Sequence, residues 1–166
     1  MATRTQKGIL IALLILVVVG CDQASKAAAR VSLEGRGIVR VVGDVLVFRY
    51  VENVGAFLGL GSRLPAPVRM TLLGAFPLAA LAAVVIAMIR SKSLAWTLLV
   101  GLSLIAGGGF GNLLDRLTRG GHVSDFLNLG IGSVRTGIFN LADLAIMGGC
   151  VLLLLTPGKP KEKQAG

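Results

Sequence analysis

Residues 8–26 read GILIALLILVVVGCDQASK, an unbroken apolar run that meets an aspartate, Asp22, and four residues later a lysine, Lys26. A bilayer core about 30 Å thick takes about 20 helical residues. Backbone groups at that depth must bond within their own segment, so the run is expected to be a transmembrane helix. Three further segments of the same kind, 68–89, 95–114 and 137–155, bring the expected helices to four. Between them lie two outer loops, 27–67 and 115–136, and a basic tail, 157–166, follows. The chain 1–166 therefore reads as a single polytopic membrane domain.

Composition supports this reading. Of 166 residues 54% are apolar and 15% charged, and the mean hydropathy is +0.81, outside the range of soluble domains. Disorder, collagen and coiled coil are excluded. The net charge of +9 comes with only 5% aromatic residues and no interleaved basic stripe, so membrane lipid headgroups, and no nucleic acid, are the expected counter-charge. Cys21 and Cys150 cannot build a disulfide framework or a four-ligand zinc site, so no metal is expected and no cofactor is implied. Cys150, mid-helix, is expected to be a buried, inert thiol.

With both termini cytoplasmic, the inside pieces hold Arg4, Lys7, Arg90, Lys92, Lys159, Lys161 and Lys163, seven of the 17 Lys and Arg residues. Ten fall outside, but the outer loops hold roughly three times as many residues, so charge density favours this orientation. The first outer loop contains a β-branched and aromatic stretch, 38–51, around Gly43-Asp44, and reads as a hairpin lying on the membrane. Arg40 and Arg49 within it could point at headgroups. A second strand-like piece lies around 131–134.

Four of the eight acidic residues, Asp22, Asp115, Asp125 and Asp143, stand in or beside the outer ends of apolar helices. Ionisable groups at such depth are costly unless paired or facing a wet cavity, so each is a candidate functional residue. An interfacial cap is the plain alternative. For Asp143, placed inside the span after Phe139-Asn140-Leu141-Ala142, capping is not expected to serve. Asp125 is expected in the connecting loop. Two carboxylates sharing a partly dry site cannot both ionise easily, so one acts as acid and the other as base on a held water. Asn53, Asn112, Asn140 and Arg116 can stabilise the developing oxyanion. Ser25 and Ser124 make poor nucleophiles, and His122 reads as a surface residue. Ser103, Gly107 and Gly111 recur every four residues, a spacing that lets transmembrane helices approach closely and brings Asn112 and Asp115 to their neighbours.

Taken together, Asp22-Gln23-Ala24-Ser25-Lys26, Asn53-Val54-Gly55-Ala56-Phe57, Gly111-Asn112-Leu113-Leu114-Asp115-Arg116, His122-Val123-Ser124-Asp125-Phe126 and Phe139-Asn140-Leu141-Ala142-Asp143 resemble the bacterial lipoprotein signal peptidases, also called signal peptidase II. The resemblance spans the whole chain. It implies a membrane all-α bundle of four transmembrane helices with a small extracytoplasmic β-cradle, an aspartyl endopeptidase of the cytoplasmic (inner) membrane. Its substrates are diacylglyceryl-modified prolipoproteins, cut just before the lipidated cysteine near the outer face, and a monomer is expected. Residue by residue, the catalytic pair resembles Asp125 and Asp143. Asp22, Lys26, Asn53, Gly55, Asn112, Asp115, Arg116 and Asn140 would line or brace the site, with Lys26 neutralising Asp22 or Asp115, Arg116 holding a carboxylate or carbonyl, and the asparagines holding substrate backbone. The chain departs from the family pattern at Phe57, which directly follows Ala56, and at Ser124, where valine is usual.

Three other readings share these residues. Val18-Val19-Gly20-Cys21 looks like a lipobox, which would make the chain a substrate. Buried carboxylates also suit a small proton-relay transporter subunit, which requires them at staggered depths. A divergent or inactive paralogue would bind precursors without cutting them.

Overall fold

The computed structural model describes residues 3–56, 59–91 and 93–156. Helix α1 (Arg4–Leu33) starts at a capping box in which Thr3 and Gln6 bond each other's backbone N–H. It outruns the expected 8–26 at both ends. Ala27, Ala28 and Ala29 are strong helix formers, and Ala29 and Leu33 bury against Phe126, Leu127 and Phe139. Asp22 and Lys26 consequently stand inside the helix, not at its end. A second long helix comprises α2 (Ala66–Met70), a π turn (Thr71–Ala75) and α3 (Phe76–Arg90). The π turn lies just ahead of Pro77, which has no N–H to give the preceding turn. Helix α4 (Trp96–Thr118) follows.

These three helices, Arg4–Leu33, Ala66–Arg90 and Trp96–Thr118, are each long and apolar enough to cross a membrane. The fourth segment, expected at 137–155, contracts to α5 (Leu141–Leu154), 14 residues and about 21 Å at helical rise. Residues 137–140 are not helical, because Phe139 pairs with Leu127 of the sheet and Asn140 caps the helix.

Strands β1 (Val39–Val42), β2 (Leu46–Asn53), β3 (Val123–Ile131) and β4 (Val134–Arg135) are ordered β1-β2-β3-β4, each antiparallel to its neighbour. The expected hairpin is present, its turn opened by Gly43 at φ +50°. The strand-like piece expected at 131–134 is instead the turn from β3 to β4, with Gly132 at φ +58°, and strand β3 takes Asp125 out of the loop into the sheet. Val123 to Asn128 are all buried, so no alternation of polar and apolar residues announced the strand.

Helix α4 is the centre of the bundle, packed against α1, α3 and α5. Its glycines leave no room for side chains, as their four-residue spacing predicts. A Cβ on Gly107 would lie 2.7 Å from Val18 of α1, one on Gly109 2.8 Å from Leu81 of α3, and one on Gly108 would strike the Ala142 carbonyl of α5. Cys150, expected to be buried, is exposed on α5. In a helix apolar on every side, hydropathy does not separate the packed face from the outer one.

Candidate active site

Two layers of buried polar groups meet where the helices join the sheet. The deeper one is built on Lys26, which is fully buried and ion-paired with Asp22 (2.8 Å) and Asp115 (3.3 Å). Lys26 was expected to neutralise one or the other, and it bridges both. The remaining acceptor sites on these carboxylates are also occupied. Asp22 accepts the Ala142 N–H (3.0 Å) in the first turn of α5, where the helix dipole favours an anion. Asp115 accepts the Ser124 N–H (3.0 Å) and pairs with Arg119 (3.5 Å). The Gln23 amide reaches Asp22, Asp115 and the Gly111 carbonyl. No apolar replacement of one member leaves the others satisfied, which makes the cluster a rigid tie between α1, α4, β3 and α5.

Above this layer stand Asp125 and Asp143. Asn140 joins them: its backbone N–H donates to Asp143 Oδ2 (3.1 Å) and its side-chain Nδ2 to Asp125 Oδ1 (2.6 Å). Its own Oδ1 accepts the Asp143 N–H (3.0 Å), which fixes the amide's orientation. Asn140 and Asp143 thus form the capping box of α5, so capping does account for one part of the position of Asp143, contrary to expectation. Asn112 is oriented the same way. Lys26 has no acceptor to offer, so Asn112 Oδ1 must face Lys26 Nζ (2.9 Å), and Nδ2 is turned to Asp143 Oδ1 (2.9 Å). Asn53, paired across the sheet near Asp125, donates to Asp125 Oδ2 (3.1 Å). The asparagines therefore hold the aspartates.

Gly55 is required by space: a Cβ there would lie 2.6 Å from the Gly59 carbonyl carbon and 2.7 Å from the Leu60 oxygen. Its own carbonyl accepts Arg116 Nη2 (2.9 Å), while Arg116 Nη1 reaches the Asn112 carbonyl (3.4 Å). Arg116 Nε is buried and has no hydrogen-bond partner among the described residues. Asn53, Gly55, Asn112, Arg116, Asp125 and Asp143 line one cleft of about 490 Å³, whose other walls are apolar and include Ile138, Ile146 and Met147. Burial pushes the Asp125 carboxyl from the usual carboxylate range up to about 6. That value is the net of burial and the nearby Asp143 charge, which raise it, and of the Asn53 and Asn140 amides and Lys26, which pull it down.

All ten residues named from the sequence thus fall in one contiguous network. Sequence reasoning passed over Gln23 and Arg119; the four-residue step from Asp115 to Arg119 was the available signal. Ser124 bonds Tyr50 Oη and Arg119 Nη1 at 3.2 Å each, so its hydroxyl has partners that valine would lack. The His122 ring is hydrogen-bonded to the Arg119 carbonyl (2.9 Å). Phe57 lies outside the described residues.

These features define a membrane-helical protein in which a linked carboxylate pair faces an apolar cleft. The chain belongs to the signal peptidase II family: the model of that family, described as Signal peptidase (SPase) II, matches residues 14–157. It is 37% identical over 154 residues to the lipoprotein signal peptidase of Treponema pallidum, covering 89% of this chain and 82% of that one. The lipoprotein signal peptidase of Moorella thermoacetica is 37% identical over 157 residues, covering 92% and 97%. A solved structure described as a bacterial membrane enzyme, 27% identical, superposes with a TM-score of 0.78 over 95% of this chain and 94% of its own. The protein is a multi-pass membrane peptidase of the aspartic, signal peptidase II type.

Proposed function

We propose that this chain removes signal peptides from diacylglyceryl-modified prolipoproteins by hydrolysing the bond before the lipidated cysteine, with Asp125 and Asp143 as the catalytic pair. The observation that carries the reading is the double attachment of Asn140, which holds both carboxylates to one cleft through its backbone and side-chain N–H groups. Asp143, which accepts two N–H bonds at the N-terminus of α5, is placed to act as the base. Asp125, held protonated to about pH 6 by burial, is suited to be the acid.

In the step this implies, Asp143 takes a proton from a water as its oxygen attacks the scissile carbonyl, and Asp125 gives its proton to the carbonyl oxygen. Collapse of the tetrahedral intermediate breaks the C–N bond and returns a proton to the leaving amine, leaving one proton on the pair. Arg116 brings one positive charge to two carboxylates sharing one proton, so the cleft is neutral in its working state. The apolar wall with Ile146 and Met147 suits acyl chains and signal-peptide side chains, and each buried CH₂ contributes about 0.8 kcal/mol.

The same reading gives four spans in one domain, both termini in the cytoplasm, the site near the outer face of the cytoplasmic membrane, lipid as surroundings, and a monomer. Beyond Asp143 the α5 helix carries no charged residue, and the sheet with its arginines lies at the end opposite Lys7 and Arg90. The bonds joining Asp22, Asp115, Asp125 and Asp143 gather them, in two adjoining layers, at the sheet end of the bundle, which disfavours a proton relay across the membrane. The test is mass-spectrometric mapping of the product from a diacylglyceryl-modified precursor beside its unlipidated twin. The reading expects a single cut before the modified cysteine and none in the twin; equal cleavage of both would overturn it.

A further inference from the structure

The cleft does not stop at the aspartates. Asn53 and Asp125 also line a second hollow with Val51, Gly137 and Ile138. Gly137 and Ile138 in turn line a third, of about 420 Å³, whose other walls include Arg40, Val47, Arg49, Asn128 and Arg135. One continuous surface therefore runs from the carboxylate pair across the sheet. Strand pairing and a bulge explain it. Val39 and Phe48 pack into the core beside α1, which turns Arg40 and Val47, with Asn128 opposite Val47, to the other face; the β-bulge between Phe48 and Val51 interrupts this alternation, and Gly137 and Ile138, which line both hollows, join that face to Asp125.

Register gives the scale. Asp125 is opposite Val51, and Arg40 is opposite Val47. On the unbulged strand β3, three residues separate Asp125 from Asn128, the partner of Val47, about 10 Å at about 3.3 Å per residue, with Arg49 in the bulged stretch of β2 between them. An extended peptide leaving the aspartates along the sheet would pass Arg49 and then Arg40 within about five residues.

The face is cationic. Arg135 is tied to Asp44 (3.4 Å) and to Asn128. Arg40 reaches Asp44 only at 4.0 Å with its side chain 71% exposed, and Arg49 makes no ion pair among the described residues. Glu52, at the edge of the second hollow, is engaged by Tyr50 Oη. Two guanidinium groups are thus available to an incoming anion.

Building on the proposed function, we propose that this face is an extended subsite for the segment that follows the cut, selecting precursors with Asp or Glu among about the first five residues after the modified cysteine. The apolar cleft wall takes the signal peptide and acyl chains, so the polar sheet face is the exit left for that segment.

The test uses the full chain in neutral detergent and three diacylglyceryl-modified precursors differing only at the second to fifth residues after the cut: acidic, neutral or basic. The acidic precursor is expected to exceed the neutral one about three- to ten-fold in kcat/KM at low salt, through KM, with the advantage shrinking at about 0.5 M salt. In the Arg40→Gln/Arg49→Gln double variant the ratio should fall to about one, and Arg49→Glu should favour the basic precursor over the acidic, a reversal that misfolding cannot produce. Equal rates for all three precursors with wild-type protein, or a preference that survives the double variant, would overturn the subsite while leaving the peptidase reading intact. If the double variant instead slows all three precursors equally, and only in vesicles containing phosphatidylglycerol, the arginines serve lipid headgroups and the proposal is overturned. Cleavage of none of the three by folded wild-type protein would remove the proposed function itself.

Discussion

Replacing Lys26 by methionine keeps the stem and removes the charge around which the site is built. Lys26 Nζ lies 2.8 Å from Asp22, 3.3 Å from Asp115 and 2.9 Å from Asn112 Oδ1, and all three charged groups are fully buried. Removing one member of a buried ion pair costs about 3–5 kcal/mol, because the partner charge is left uncompensated. Here two carboxylates lose it, keeping Arg119, the Gln23 amide and the Ala142 and Ser124 N–H groups but no fully buried cation. At about 2–4 °C per kcal/mol for a chain of this size, the melting temperature should fall by about 6–20 °C. Circular dichroism during thermal unfolding in detergent measures this. Cleavage should fall as well, since Lys26 is the group that fixes the orientation of Asn112. Replacing Asp22, Lys26 and Asp115 together with apolar residues should recover part of the stability and none of the activity. A Lys26→Met protein that melts within about 2 °C of wild type would refute the claim that this lysine holds the site together.

Other perturbations separate the parts of the account. Because the folded protein raises the Asp125 carboxyl to about 6, above its unfolded value of about 3.9, its stabilising contribution is complete below about pH 4 and lost as pH rises through about 6. The melting temperature should fall over that interval in wild type and stay flatter in Asp125→Asn; the same slope in both would contradict the assignment. The activity profile should show its basic limb at or above pH 6, since deprotonating Asp125 removes the shared proton, and a profile still rising there would mean that Asp125 is not the acid. Adjacent glycines of α5 should respond with opposite sign: Gly148→Ala meets nothing within 4 Å and should stabilise by about 0.5–1 kcal/mol, whereas a Cβ on Gly149 would lie 2.5 Å from the Gly101 oxygen and should destabilise by about 1–3 kcal/mol. Thermal unfolding of the two variants side by side checks this.

The sequence made the spans legible because apolar runs need no partner to be recognised, and the site legible because charges rarely stand in such runs. Where helices end was less legible. Local hydropathy could not foresee that Ala27–Ala29 would carry α1 onward to dock Leu33 on the sheet, or that Phe139 would leave helix to pair with Leu127. Both endings are set by long-range contacts. Asp125 was assigned to a loop because β3 is buried on both faces and shows no alternation. The exposed side of Cys150 was likewise hidden, since exposed and packed positions of α5 carry the same apolar residues. Motif positions named the right polar residues, but only the three-dimensional bonds reveal their division of labour, with Lys26 orienting Asn112 and Asn140 tying the two aspartates together.

The decisive measurement is cleavage of a diacylglyceryl-modified precursor by Asp125→Asn and Asp143→Asn, each purified and melted beside wild type. Asparagine keeps the shape of each side chain and can accept a hydrogen bond, so both variants should stay folded. Each should lose about 10²-fold or more in rate, because neither can exchange a proton with water or substrate. A folded variant of either kind that cleaves within about ten-fold of wild type would contradict the assignment of the pair as the catalytic acid and base.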